Sequence, residues 1–159
     1  APLRSFIDPD DARFSTPGNL PKRIAEYCAE TNQPIPETKG EVVRCILESI
    51  AMKYRHTVDA IDEMCGERMP AINIVGGGTQ EKLLSQYAAS ACGRDVYAGP
   101  VEATALGNIA AQLIALGEIK DLSEARKVIA NSFEIEHFVP QDTAAWDAAY
   151  EKFVTLIKE

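Results

Sequence analysis

From Glu41 to about Cys65 the apolar residues Val42, Val43, Ile46, Leu47, Ile50, Tyr54, Val58 and Ile61 recur at intervals of three and four. That spacing predicts one long amphipathic helix, closed by Gly66 and Pro70. Ahead of it, Ile24, Tyr27 and Cys28 form a shorter stripe over about 20–31. Asn19 is placed to cap that helix, and Pro21 falls in its first turn, where a missing N–H does no harm. "TNQPIPETKG" then breaks the pattern with two prolines and a glycine, which predicts a loop. Residues 1–18, rich in Asp and Pro, lack clear periodicity and read as an ordered or half-ordered lead-in.

Downstream the pattern switches period. "AINIV", residues 71–75, predicts a short buried strand, and helical spacing resumes near Gln80 and runs to about Cys92, with Gly93 as its stop. "DVYAG" predicts a second short strand. Residues 101–117, "VEATALGNIAAQLIALG", are apolar around most of a helical circumference, which predicts a buried helix. "DLSEARKVIANSF" predicts another short helix, and "DTAAWDAAYEKFVTLIK" a closing amphipathic one with Trp146, Ala149, Tyr150, Phe153 and Ile157 on its stripe. On that stripe Trp146 and Tyr150 are core anchors rather than a ligand cage.

The order α-β-α-β-α predicts an α/β, helix-rich fold with a parallel sheet covered by helices. Two strands alone make a poor sheet, with unpaired edges and marginal stability. Further strands are therefore expected from another part of a longer polypeptide or from another chain. The exposed edge also makes a homo-oligomer, formed by edge pairing, an expectation.

Composition narrows the function classes. A hydrophobic content of 46% and a charged content of 25% over 159 residues fit an ordinary globular chain. The formal charge of −8 disfavours nucleic acid and anionic membranes as partners. Cys28, Cys45, Cys65 and Cys92 are widely separated, without a C-x-x-C or a nearby histidine pair. Reduced thiols in a cytoplasmic protein are the expectation, with no metal site. His56 and His137 lack spaced partners, so His56 reads as a surface residue on its helix and His137 as a lone loop residue. Asp8, Asp10 and Asp11 lack the glycine pivot and distal Glu of a calcium loop, and read as solvated.

The chemistry concentrates at Gly76-Gly77-Gly78, between a strand and a helix. Bare backbone there lets a flat or anionic ligand reach main-chain contact. Thr79 is a candidate N-cap, with helix N–H groups and the positive end of the helix dipole behind it. A phosphate loop of the G-x-x-x-x-G-K-[ST] kind fails on spacing and on the missing lysine. A dinucleotide G-x-G-x-x-G matches at Gly76 and Gly78 but meets Glu81 at its third glycine. A tight strand-to-helix turn with close packing remains open as the plainer reading.

"INIVGGGTQEKLL" resembles the adenosine motif of actin-like ATPases. With "RCILESIAMKYR", "AGPVEATALGNIAAQ-IALGEI" and the lead-in "FIDPDDARF--P", the chain resembles the carboxyl-terminal domain of FGGY carbohydrate kinases, most closely their rhamnulokinase branch. The resemblance implies the later portion of an actin-like (ribonuclease H-like) ATPase domain, with too few strands to be a complete sheet. It implies transfer of the γ-phosphate of MgATP to the 1-hydroxyl of L-rhamnulose, with ATP and Mg2+ as cofactors. Another FGGY ketose or polyol kinase, and a non-enzymatic nucleotide-binding or assembly module, are the alternatives.

Under that resemblance residues 1–40 are the lead-in and short helix, and 41–159 the nucleotide-binding portion. The sugar-binding amino-terminal domain and the catalytic base aspartate are expected upstream, outside this chain, which alone is expected to be inactive. Gly76, Gly77 and Gly78 fall on the glycines that approach the adenosine. Glu81 falls where relatives commonly carry an adenine-contacting Asn; a first-turn partner of the helix dipole is its other reading. Gly18 matches, loosely, a loop near the ATP phosphates. Glu102, Thr104 and Gly107 lie in the family-like run as supporting residues, with Gly107 expected to allow close helix packing beneath the glycine turn.

Overall fold

The computed structural model of this chain describes residues 2–157. The lead-in contains a single helical turn, α1 (Ala12–Ser15), ahead of α2 (Leu20–Glu30) and the long α3 (Lys39–Cys65). Strand β1 (Ala71–Ile74), a 3-10 turn (Gly76–Gln80), α4 (Lys82–Cys92) and β2 (Asp95–Ala98) follow as one β-α-β unit. After it come α5 (Ala103–Leu116), α6 (Leu122–Ser132), β3 (Glu136–Phe138) and α7 (Thr143–Val154).

The helix ends are written in local chemistry. The Asn19 side chain accepts from the Lys22 N–H, with Pro21 in the first turn of α2. Thr38 and Glu41 form a reciprocal capping box at the start of α3, a device that stabilises a helix by ~1 kcal/mol. Gly66 and Gly93 end α3 and α4 in left-handed conformations. Beyond Gly66, the Asp62 carboxylate receives the Met69 N–H at 2.9 Å and the guanidinium of the buried Arg94. Arg94 therefore fastens the end of α3 to the lead-in of β1, and its side-chain hydrogen bond holds the Asp62 carboxyl down to about 2.

Helix α4 is the centre of the packing. Its Tyr87 and Ala91 meet Ala51 and Met52 of α3, Trp146, Ala149 and Phe153 of α7, and Phe6 of the lead-in. Ala88 and Ala89 face the sheet, where Val96, Ile72, Ile74 and Phe138 pack against them. Small residues on the α4 surface let it sit between the α3–α7 pair and the sheet. A second cluster joins Ile7, Ile24, Tyr27, Cys28 and Cys45, so the lead-in and α2 are part of the core. Glu48 of α3 is buried, with Oε2 accepting the Leu3 N–H and Oε1 paired to Arg44, both at 2.9 Å. Burial pushes its carboxyl up and those donors pull it back.

Several expectations need correction. Among the described residues the sheet has three strands in the order β1-β2-β3: β1 pairs parallel to β2, and β3 pairs antiparallel to β2. His137, expected in a loop, is therefore a strand residue; it stacks on Tyr97 at 4.6 Å and its Nε2 lies 2.9 Å from Asp95. Strand β1 is half-buried rather than buried, since α4 covers one sheet face while β1 has a neighbour on one edge only among the described residues. Helix α5, expected to be buried, is mostly exposed; Ala110 is its one buried residue, packed with Ile119 and Ala125 against α6. Asp8 is buried rather than solvated, accepting the Asp10 N–H at 3.1 Å near Lys53, which pairs with Asp10 at 2.8 Å. His56 is exposed, as expected, within 3.3 Å of the Tyr150 hydroxyl. The four cysteines are free thiols.

Candidate functional site

Strand β1 leaves the sheet through Val75 in extended geometry, and Gly76 then turns the chain with φ +79°. Only glycine adopts that conformation without a steric penalty. The Gly76 N–H donates to Pro100 O at 3.1 Å and the Gly99 N–H to Ile74 O at 2.9 Å, which extends the β1–β2 pairing beyond the strands. The Thr79 hydroxyl donates back to Gly76 O at 2.8 Å, and the Glu81 N–H reaches Gly78 O at 3.3 Å. The corner is thereby held from inside.

Its outer side is bare. Gly77 and Gly78 are exposed. A Cβ built on Gly77 meets nothing within 4 Å, and one on Gly78 meets only Ile74 Cγ2 at 3.8 Å. Val75 and Val101, 55% and 41% exposed, flank the turn with apolar surface. Packing within this chain gives no reason for glycine at position 77.

Beside the turn opens a cavity of about 340 Å³, lined by Thr79, Gln80, Lys82, Ala98, Gly99, Val101, Glu134 and Glu136. The Lys82 ammonium sits 2.5 Å from Glu136 Oε1, an ion pair that raises the lysine pKa. With two carboxylates to one ammonium, the cavity suits a neutral, hydrogen-bonding ring better than a polyphosphate. Sequence reading missed Lys82, Glu134 and Glu136. The run of Ile135, Phe138 and Val139 after the end of α6 was the available signal for a strand that would carry them here.

The other sequence candidates fall in different places. Thr79 is not the cap of α4: it lies inside the 3-10 turn, and Glu81 takes the N-cap position without a side-chain capping bond. The Glu81 side chain therefore does not cap the start of α4. Glu81 is exposed, and its neighbour Gln80, not Glu81 itself, lines the cavity. Glu102 is the N-cap residue of α5, again without a side-chain bond, and Thr104 is exposed, its carbonyl accepting from Asn108 at 3.3 Å. Gly107 is exposed with nothing within 4 Å of a built Cβ, so no packing within the described residues requires glycine there. Gly18 (φ +139°) sits in a lead-in turn tied by Arg23, which donates to Arg13 O at 3.1 Å, Pro17 O at 2.9 Å and Thr16 O. It does not line the cavity.

The sequence profile described as "FGGY family of carbohydrate kinases, C-terminal domain" matches residues 1–116. The chain belongs to the FGGY carbohydrate kinase family. Among curated FGGY relatives, the rhamnulokinase of Bacteroides thetaiotaomicron is 41% identical over 157 residues, covering 99% of this chain and 32% of that protein. The rhamnulokinase of Halalkalibacterium halodurans is 44% identical over 140 residues, covering 88% of this chain and 30% of its own. This chain therefore spans about a third of the length of the relatives it matches. Among solved structures, the xylulose kinase from Rhodospirillum rubrum superposes with a TM-score of 0.57 at 25% identity, over 77% of this chain and 25% of that one. The fold is thus the later portion of an actin-like FGGY kinase domain, helix-rich with a sheet of three strands. Among the described residues no helix is long and apolar enough to cross a membrane.

Proposed function

We propose that this chain is the nucleotide-holding portion of an ATP-dependent sugar kinase that phosphorylates the 1-hydroxyl of L-rhamnulose. The observation that carries the proposal is the bare corner at Gly76–Gly78, open to solvent and flanked by Val75 and Val101. The adenosine lies flat on that main chain with its base toward the Gln80–Glu136 cavity, and the phosphates point away from the carboxylates. Names and identities of the rhamnulokinase relatives support the choice of sugar.

ATP and ADP are the small-molecule partners of this corner, and the sugar is held by polypeptide outside this chain. Among the described residues no cluster of His, Cys, Asp and Glu is arranged to hold a metal ion. Mg2+ would accompany the phosphates. Phosphoryl transfer needs base, metal and phosphate ligands brought together by several elements, so this part of the assembly binds without turning over.

Two measurements test this. Calorimetric titration of ADP into the 159-residue chain should give weak, saturable binding. A coupled assay with ATP and L-rhamnulose should read zero for this chain and appreciable turnover for a polypeptide extended to the length of its relatives. Turnover by the short chain alone, or no ADP binding by either form, overturns the proposal.

A further inference from the structure

Away from the glycine corner, a cavity of about 270 Å³ opens between α4, the start of α7, α3 and the lead-in. It shares no residue with the cavity beside the corner. Leu3, Ala145, Tyr87 and Trp146 supply its apolar surface, and the two larger rings pack with centroids 5.4 Å apart. Small-molecule sites are built this way, from apolar walls with a few placed polar groups. At just under ~300 Å³ the space takes a molecule of single-ring size.

The group that calls for a ligand is the Tyr87 hydroxyl. Tyr87 is 9% exposed, and its hydroxyl is buried with no hydrogen-bond partner among the described residues. Buried hydroxyls are normally paired, because the water they lose has to be replaced. Packing alone would be served as well by Phe. Burial pushes the Tyr87 phenol up, with Arg44 pulling it down and Glu48 adding to the rise. Both of those charges belong to the cavity wall. The Arg44 guanidinium lies 5.6 Å over the Tyr87 ring and donates one N–H to Glu48 at 2.9 Å.

On the facing side α7 begins at Asp142, which has a left-handed conformation (φ +49°) and a carboxylate that makes no capping bond. Gln86 donates its amide N–H to Val139 O at 2.8 Å, which leaves its side-chain oxygen as an acceptor. These charges argue against an ionic ligand. Arg44 is neutralised by Glu48, so an anion gains little there and meets Asp142, while a cation meets Arg44. Hydroxyl groups serve both sides: they donate to Asp142 and Gln86 and accept from Tyr87 and Arg44. We propose that this cavity binds a small neutral polyhydroxyl molecule, a monosaccharide or polyol, at a site separate from the nucleotide corner. The Tyr87 hydroxyl is its buried anchor, and Asp142 is its acceptor at the mouth.

Trp146 is the only tryptophan of the chain and lines the cavity, so its emission reports occupancy. Titrating the 159-residue chain with L-rhamnulose, D-fructose and glycerol should give a saturable change, in the millimolar range, for at least one of them. Tyr87→Phe keeps the packing and removes the anchor. Affinity should fall roughly tenfold while the melting temperature holds or rises, because an unpaired buried hydroxyl is gone. Asp142→Gly suits the left-handed backbone and removes the acceptor, so binding should weaken roughly threefold without loss of stability. ADP should bind both variants as it binds the unsubstituted chain, which keeps this site distinct from the corner. No saturable emission change with any of the three compounds overturns the proposal, as does an affinity that neither substitution moves. Tighter binding of glycine or inorganic phosphate than of the polyhydroxyl compounds overturns it too.

Discussion

The molecule turns from strand to helix twice through glycine, and for opposite reasons. At the β2–α5 corner, Gly99 has φ +138°, and a Cβ there would lie 2.8 Å from Glu134 O and 3.3 Å from Ile135 Cα. That glycine is required by the backbone of β3's lead-in, which passes against it. At the β1–α4 corner, Gly77 faces nothing within 4 Å and its φ is unexceptional. The same residue type in the same topological position is structural in one corner and unexplained by structure in the other. The proposed nucleotide contact would account for the second corner.

Breaking the structural corner gives the largest effect. Gly99→Ala meets both the clash and the unfavourable φ, and should lose ~3 kcal/mol of stability by denaturant unfolding. If the loss is under ~0.5 kcal/mol, the two corners do not differ as described. Gly77→Val should change unfolding little, yet weaken ADP binding by roughly tenfold, since the branched side chain occupies the ligand's place. Loss of stability without loss of binding would reverse the assignment.

Acid separates the corners from the packing beneath them. Asp62 has a folded-state pKa lowered to about 2 by Arg94, below the ~3.9 of an unfolded chain. Its contribution is therefore complete above pH ~4 and is lost as pH falls through about 2. Asp62→Asn should flatten the fall in stability across that window in acid titrations followed by circular dichroism, while at neutral pH ADP still binds. A wild-type slope unchanged by the substitution would remove Asp62 from the account. The smallest effect belongs to Glu81→Asn. An amide can both donate and accept, so ADP should bind roughly threefold more tightly, with an unchanged melting temperature. Because Gln80 rather than Glu81 lines the cavity, no change in affinity would assign the base contact to Gln80.

The sequence announced what local chemistry decides. The periodicity of α3, the Asn19 cap and the glycine stops at 66 and 93 all depend on residues within a turn or two of one another. The open corner was legible because three adjacent glycines have few local explanations. Strand β3 was not, since three residues gain strand geometry from pairing with β2, far away in sequence. Lys82, Glu134 and Glu136 were missed with it. The expectation of a buried α5 came from apolar residues around most of its circumference, yet within this chain the packing it finds is against α6. Thr79 has the right side chain for a cap, but its hydroxyl donates to Gly76 O inside the 3-10 turn instead.

The central claim is that nucleotide rests on the Gly76–Gly78 main chain, and amide spectroscopy addresses it residue by residue. Titrating ADP into uniformly 15N-labelled protein should shift the Gly76, Gly77, Gly78, Thr79 and Val101 amides first and most, leaving Gly107 and the lead-in turn at Gly18 still. Shifts centred anywhere else, or none at saturating ADP, would contradict it.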